Sequence, residues 1–340
     1  MIYLHLSRVL TVAAIVIAIA ASSVLGQPLK PIANPELAPA VQLIREGETK
    51  KALDFLKKVV KRNKTDGEAW YYIGVVSLQL SDFKKATEAF KKAVEMRPDL
   101  AAQAQAGYAY ALVLRNRLDS ATVAANKALA IEPKNIEALY TLAIIDLRKG
   151  AREEAIKRAD EIVALQPNFA PAYLLKSQAF VSYAGGVLYP DLNTPKSERS
   201  LSYKSAADAL EKYLQLETDP RAAQAWNEQL ETLKFYVADK SGGNPIYAGR
   251  DVTTKVKLLS KPEPGYTESA RNAQTTGTVV LRCVFAGDGS VKHILVLQAL
   301  PNGLTQQSII AAKKIKFIPA TLNGKPVSMW MQLEYNYNLF

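Results

Sequence analysis

At 340 residues, with 49% hydrophobic and 22% charged side chains, the chain has the composition of a folded protein large enough for more than one core, which excludes wholesale disorder. Its net charge of +11 does not point to specific nucleic-acid binding, because lysines such as Lys50, Lys51, Lys57, Lys58, Lys61 and Lys64 read as a solvated helix face; attraction to an anionic membrane surface fits the charge as well. One cysteine, Cys283, rules out an internal disulfide, and two histidines, His5 and His293, are too few for a His-rich metal site or triad, so no metal, cofactor or catalytic set is expected.

The N-terminus carries a 13-residue apolar run, Val9 to Ala21, after Arg8. It is short for a bilayer span, and Val24 and Gly26 are small residues of the kind a signal peptidase accepts. Residues 1–26 are therefore expected to be a signal peptide or an uncleaved N-terminal membrane anchor, and either exports the remainder of the chain. Residues 27–38 form a polar, proline-bearing leader.

From residue 39 the pattern is helical and repeated. In Gly67–Pro98, Trp70 and Gly74 sit one turn apart on a first helix, Ala86, Phe90 and Ala93 recur at helical spacing on a second, and Pro98 closes the unit. Ala52, Ala86, Ala121 and Ala155 are spaced 34, 35 and 34 residues apart, and Gly47, Ser81, Asn116 and Gly150 fall at the equivalent turns. Turn chemistry and helix period thus agree on one register. A fifth first helix begins at Ala170, with Tyr173 in the place of Trp70. The period then breaks: Ala206 follows Ala155 by 51 residues, and the excess is expected as a loop insertion at 185–200. Tyr203–Leu216 resumes the second helix, and Arg221–Val237 reads as a last helix covering the end of the array.

Residues 238–264, with Gly242, Gly243, Pro245, Pro262 and Pro264, read as a linker that lets two parts reorient, with a short strand within Val252–Leu259. Beyond it, Thr278–Phe285 and Val291–Leu297 are β-branched runs joined by Ala286-Gly287-Asp288-Gly289, a hairpin signal. A helix is expected within Asn302–Lys314. Val327, Met329, Met331, Leu333, Tyr335 and Tyr337 then alternate with Ser328, Trp330, Gln332, Glu334 and Asn336, which puts the first set toward a core and Trp330 on the other face.

The 34-residue period with small residues at the helix crossings resembles tetratricopeptide repeats over residues 39–237. The C-terminal text GYTESARN at Gly265–Asn272, GTVVLRCVFAGDGSVKHILVLQ at Gly277–Gln298 and IKFIPATLNGKPV at Ile315–Val327 resembles the C-terminal domain family of TonB, the envelope energy transducer. It departs from that family at Thr267, where a proline is common, and at Ile315, where a tryptophan is common; the long Pro-rich spacer of family transducers is missing. Together the resemblances imply an α+β protein: an all-α tetratricopeptide solenoid followed, at 265–340, by a small α+β domain with a mainly antiparallel three-stranded sheet.

The resemblances also imply where binding would occur. First helices of such an array line a groove, which would place Tyr71, Tyr110, Tyr140 and Leu174 along it to hold an extended peptide or partner helix. Packing between neighbouring helices is the alternative use of those tyrosines. In the C-terminal domain the last strand offers an edge to a partner strand, with Trp330, Gln332 and Glu334 reading side chains; self-pairing into a homodimer would use the same edge. Cys283 reads as a small core residue and His293 as structural. No nucleophile, base and oxyanion set surrounds Asp288, so an enzyme is not expected. The reading is an exported adaptor of the bacterial periplasm or cell envelope that binds envelope proteins or peptides. The alternative is a membrane-anchored, TonB-like component of energy-dependent transport, with an outer-membrane transporter as partner.

Overall fold

In the computed structural model the described residues are 34–185, 196–218, 220–238 and 245–338. The expected signal or anchor at 1–26, the leader up to Ala33 and residues 186–195 of the insertion lie outside them. Among the described residues, no helix is long and apolar enough to cross a membrane. They divide into two compact units, one running to Leu175 and the other holding Lys176–Arg271 and Thr276 onward.

The first unit is built from α1 (Ala38–Arg45), α2 (Thr49–Arg62), α3 (Gly67–Gln79), α4 (Phe83–Met96), α5 (Ala101–Leu114), α6 (Leu118–Ile131), α7 (Ile136–Lys149) and α8 (Arg152–Leu165). Each odd-numbered helix is joined to the next by the same turn. Gly47, Ser81, Asn116 and Gly150 have φ of 76°, 59°, 57° and 82°. In each turn the following amide closes a six-to-one bond: Glu48 to the Leu43 carbonyl at 2.9 Å, Asp82 to Ser77 at 2.8 Å, Arg117 to Leu112 at 2.9 Å and Ala151 to Asp146 at 2.8 Å. This is the left-handed C-terminal cap that satisfies the last carbonyls of a helix, and it explains the residue types found there. Three of the starts, those of α3, α4 and α7, are capped by a side chain. The side chains of Asp66, Asp82 and Asn135 accept from the amides of Ala69, Lys85 and Ala138 at 2.9–3.0 Å.

Small residues let the helices touch. Ala52, Ala86, Ala121 and Ala155 have no exposed surface. The ring of Phe90 on α4 is clasped between Gly74 on α3 and Gly107 on α5, where an added Cβ would approach it to 2.8 Å and 2.7 Å. Trp70 and Tyr173 are equivalent in contact as well as in position, each donating to a carbonyl six residues upstream, of Lys64 and Pro167, at 2.9 Å.

The helix α9 (Ala170–Gly185) leads into the second unit, which continues with α10 (Lys196–Leu216), α11 (Pro220–Ala238), β1 (Ile246–Tyr247), β2 (Lys257–Ser260), α12 (Glu268–Asn272), β3 (Gly277–Phe285), β4 (Val291–Gln298), α13 (Leu304–Lys313), β5 (Lys316–Ile318), β6 (Ala320–Leu322) and β7 (Lys325–Tyr337). Strands run in the order β1-β7-β3-β4, with β6 also on β7, and β2 and β5 form a separate two-stranded ribbon. The three long strands are antiparallel, as expected, and short β1 joins β7 in parallel. Asn323 and Gly324, at φ 52° and 79°, make the two-residue turn between β6 and β7. The alternation read along the last strand holds: Leu333, Tyr335 and Tyr337 are buried with Val279, Leu281, Cys283 and Phe285 beneath α13. Burial pushes the Cys283 thiol up to about 12, as suits a core residue.

Three expectations change here. Residues 196–200, expected in the loop insertion, open α10. The segment 238–264, expected as a linker, contributes β1 to the main sheet and β2 to the ribbon, so its described part is tied to the C-terminal domain. The last helix of the array, α11, packs on the C-terminal sheet.

That last contact decides the second face of the sheet. Gln229 donates to the Ile294 carbonyl at 3.0 Å and accepts from the Val296 amide at 3.4 Å, so α11 binds the backbone of β4 directly. Tyr236 donates to both the Arg282 and His293 carbonyls at 3.3 Å. A bulge sets one extra residue of β4 opposite Cys283, where His293 takes φ 47° and stacks on Phe235 with ring centroids 3.6 Å apart. The sheet therefore has α13 on one face and α11 on the other.

Candidate functional site

Two places were expected to bind, and the structure treats them differently. In the array, Tyr110 and Tyr140 are only 2% and 8% exposed, and Tyr71 is partly buried between Tyr72 and Phe90, with ring centroids at 5.5 Å and 5.8 Å. Tyr140 packs edge-on against Phe169 at 5.5 Å. The rings of Tyr110 and Tyr140 thus belong to the interior, the packing alternative, and that of Tyr71 is covered in part, because successive first helices approach closely. Burial raises the phenol pKa of all three. Leu174 remains partly exposed.

A cation sits among these phenols. The Arg148 guanidinium on α7 donates to the Val113 carbonyl at 2.9 Å, and burial lowers its pKa to about 10 while Tyr110 and Tyr140 oppose that shift. It is therefore charged at neutral pH. On α3, the Ser77 hydroxyl and the Gln79 carbonyl oxygen are buried with no hydrogen-bond partner among the described residues. Arg148 and Gln79 carry no motif; the only signal for them is their position near the C-terminal ends of first helices.

In the sheet, β7 pairs with β3 from Met329 to Tyr337, and on its other side it meets β6 at Lys325–Val327 and β1 at Ser328–Met329. From Trp330 onward no described strand occupies that outer side. Lys261 donates to the Glu334 carbonyl there at 2.8 Å, so this carbonyl points outward, and alternation directs the backbone groups of Gln332 and Asn336 the same way. Gln332 and Glu334 are exposed and bond each other at 3.1 Å. Trp330 is placed otherwise: it lies under α11, 5.0 Å from the Tyr236 ring and 6.3 Å from Phe235, with the Arg282 guanidinium 5.3 Å above its face. It is on the predicted face, but a helix of the same chain covers that face.

Sequence reading missed α11 as the sheet's cover. The available signal was Gln229 with Phe235 and Tyr236, polar and aromatic residues within two turns, which the need for a terminal cover on the array had absorbed. Among the described residues no group of acids, histidine and cysteine is arranged to hold a metal.

Residues 45–173 match the family described as cytochrome c-type biogenesis protein H TPR domain, and residues 262–339 match that of the Gram-negative bacterial TonB protein C-terminal. Both domain types serve protein–protein interaction, and the second is a Gram-negative envelope family. The chain is 41% identical over 63 residues to superkiller complex protein 3 of Homo sapiens, a match covering 18% of this chain and 4% of that protein. It is 26% identical over 128 residues to the BBSome complex member BBS4 of Bos taurus, covering 38% of this chain and 24% of that protein. It thus spans a small part of the curated relatives it matches. The solved structure of PilW, described as a widely conserved type IV pilus biogenesis factor, aligns with a TM-score of 0.43 at 22% identity over 58% of this chain and 94% of that one.

Proposed function

From a tetratricopeptide domain joined to a TonB-type C-terminal domain, we propose that this protein is an exported adaptor of the bacterial cell envelope, binding one partner in the array and another on the sheet. The observation that carries the reading is the outer side of β7, where the backbone groups of Gln332, Glu334 and Asn336 face away from β3 and, among the described residues, meet only the Lys261 ammonium. An extended partner segment would add there as a strand, its backbone supplying attachment and Gln332 and Glu334 reading its side chains. A second copy of the chain is the competing occupant of the same edge. Trp330 supports the edge from beneath.

In the array, the partly exposed Leu174 and the edge of Tyr71, with the Arg148 guanidinium and the Gln79 oxygen that has no partner among the described residues, favour a partner segment that brings both an apolar side chain and an anionic or amide group. The Val113 carbonyl holds that arginine in place.

The test is site-specific photo-cross-linking from positions 332 and 174 of the full chain in native envelopes. Two different adducts, with the first lost when Glu334→Pro is added and the second retained, are expected, because proline there removes an outward amide without touching the β3 ladder. One shared adduct, or a product that is only this chain linked to itself, overturns the adaptor reading.

The match of residues 262–339 to the TonB C-terminal family favours a second reading, a membrane-anchored component of energy-dependent transport across the outer membrane. Mass spectrometry of the N-terminus after fractionation separates the two. A mature start at Gln27 eliminates the anchored form, whereas an intact start confined to the inner membrane, with a motor-dependent uptake defect, selects it.

A further inference from the structure

The ribbon of β2 and β5 leaves neighbouring aliphatic side chains in water, apart from the single exposed Leu201 on α10. Leu258, Leu259 and Ile318 are 39%, 62% and 49% exposed. Lys257 lies opposite Ile318 and Ser260 opposite Lys316, so lysine and isoleucine share one face. A bulge between Leu258 and Ser260 leaves Leu259 unpaired, projecting from the same ribbon. Thr253–Lys261 carries three lysines and no acid, and Lys314–Leu322 carries two and no acid. Lys255, Lys257, Lys314 and Lys316 are exposed, and among the described residues none of them has a carboxylate partner. Lys261, by contrast, is held by the Glu334 carbonyl and the Tyr335 ring.

Exposed aliphatics gain by leaving water, and lysines without a carboxylate partner are free to meet an anionic surface. A protein interface of ordinary stability needs roughly 800 Å² per partner, whereas this ribbon offers three aliphatic side chains. The hydrocarbon–headgroup boundary of an anionic bilayer needs no pocket: aliphatic tips enter it while lysine stems reach the headgroups. We infer that the β2–β5 ribbon is a membrane-surface contact, with Leu259 and Ile318 entering an anionic lipid leaflet and Lys255, Lys257, Lys314 and Lys316 on its headgroups. The site is separate from the strand edge and does not rest on the adaptor reading.

The experiment reads the ribbon locally, so that residues 1–26 cannot supply the signal. Leu259→Cys is introduced in the full chain and labelled with an environment-sensitive fluorophore; Cys283 is buried with its thiol pKa raised, and stays unlabelled in the folded protein. Asp54→Cys on α2 is the reference position. With vesicles of phosphatidylethanolamine and phosphatidylglycerol at 3:1, a blue-shifted emission is expected at position 259 and none at 54. Lys257→Gln with Lys316→Gln should weaken this binding at least tenfold, since each lysine near such a surface contributes about a fivefold factor. About 0.5 M salt should weaken it too. Unchanged emission at 259, equal binding to phosphatidylcholine vesicles, or indifference to the lysine substitutions overturns the proposal. So does a shift that grows with protein concentration without lipid, which would make the ribbon a contact between copies.

Discussion

The array and the sheet unit solve the same packing problem with different information. In the array, one local rule is applied four times: a left-handed residue at Gly47, Ser81, Asn116 or Gly150 ends the first helix, and an alanine with no exposed surface admits the second. In the sheet unit nothing repeats, and α11 is held to β3 and β4 by Gln229, Phe235 and Tyr236 across gaps of 46 to 67 residues. Damage to a repeat should therefore spread through neighbours, while damage to α11 should loosen one face and leave the array standing.

The largest expected effect is Phe90→Ala. Removing a ring clasped by two helices should cost about 3–5 kcal/mol of array stability, read as a lowered urea midpoint in helical circular dichroism. Gly107→Val attacks the same contact from the other side. Its added carbons meet the Phe90 ring, and a loss of about 1–3 kcal/mol is expected. If either substitution instead lowers hydrogen-exchange protection chiefly in β4 and β7, the two units do not open independently.

Tyr236→Phe should cost about 0.5–1.5 kcal/mol, since two carbonyls lose a shared donor while the ring stays. The expected signature is faster exchange in α11 with the amides of α3–α6 unchanged.

A smaller effect concerns pH. Burial, aided by Lys292, lowers the His293 pKa in the folded state. The unfolded chain then binds the proton more tightly, so stability is complete above about pH 6.5 and falls as pH drops from there toward the folded value. His293→Asn, which tolerates the positive φ, should flatten that part of the melting-temperature profile and lower it slightly at neutral pH. A profile that keeps its slope assigns the titration to another group.

Much of the architecture was legible. The turn positions, the helix pairs and the inward set of β7 follow from spacing and residue type, because a helix period and a strand period each leave a mark within a few residues. The exposure of Gln332 and Glu334 was legible for the same reason. The burial of Tyr110 and Tyr140, the cover over Trp330 and the retention of residues 245–264 in the sheet and ribbon were not. An aromatic at a groove position and an aromatic between two helices have the same local sequence, and the depth of the groove separates them.

The order of residues by itself determined that this protein is a repeat array followed by a small α+β domain, since period, turn chemistry and alternation are local properties. The tertiary structure decided which surfaces remain open. Whether a sheet face meets water, a partner or its own chain depends on where a distant helix comes to rest. Here α11, which the repeat pattern assigns to the array, lies on the sheet because Gln229 and Tyr236 there satisfy backbone groups that a bulged strand leaves unpaired.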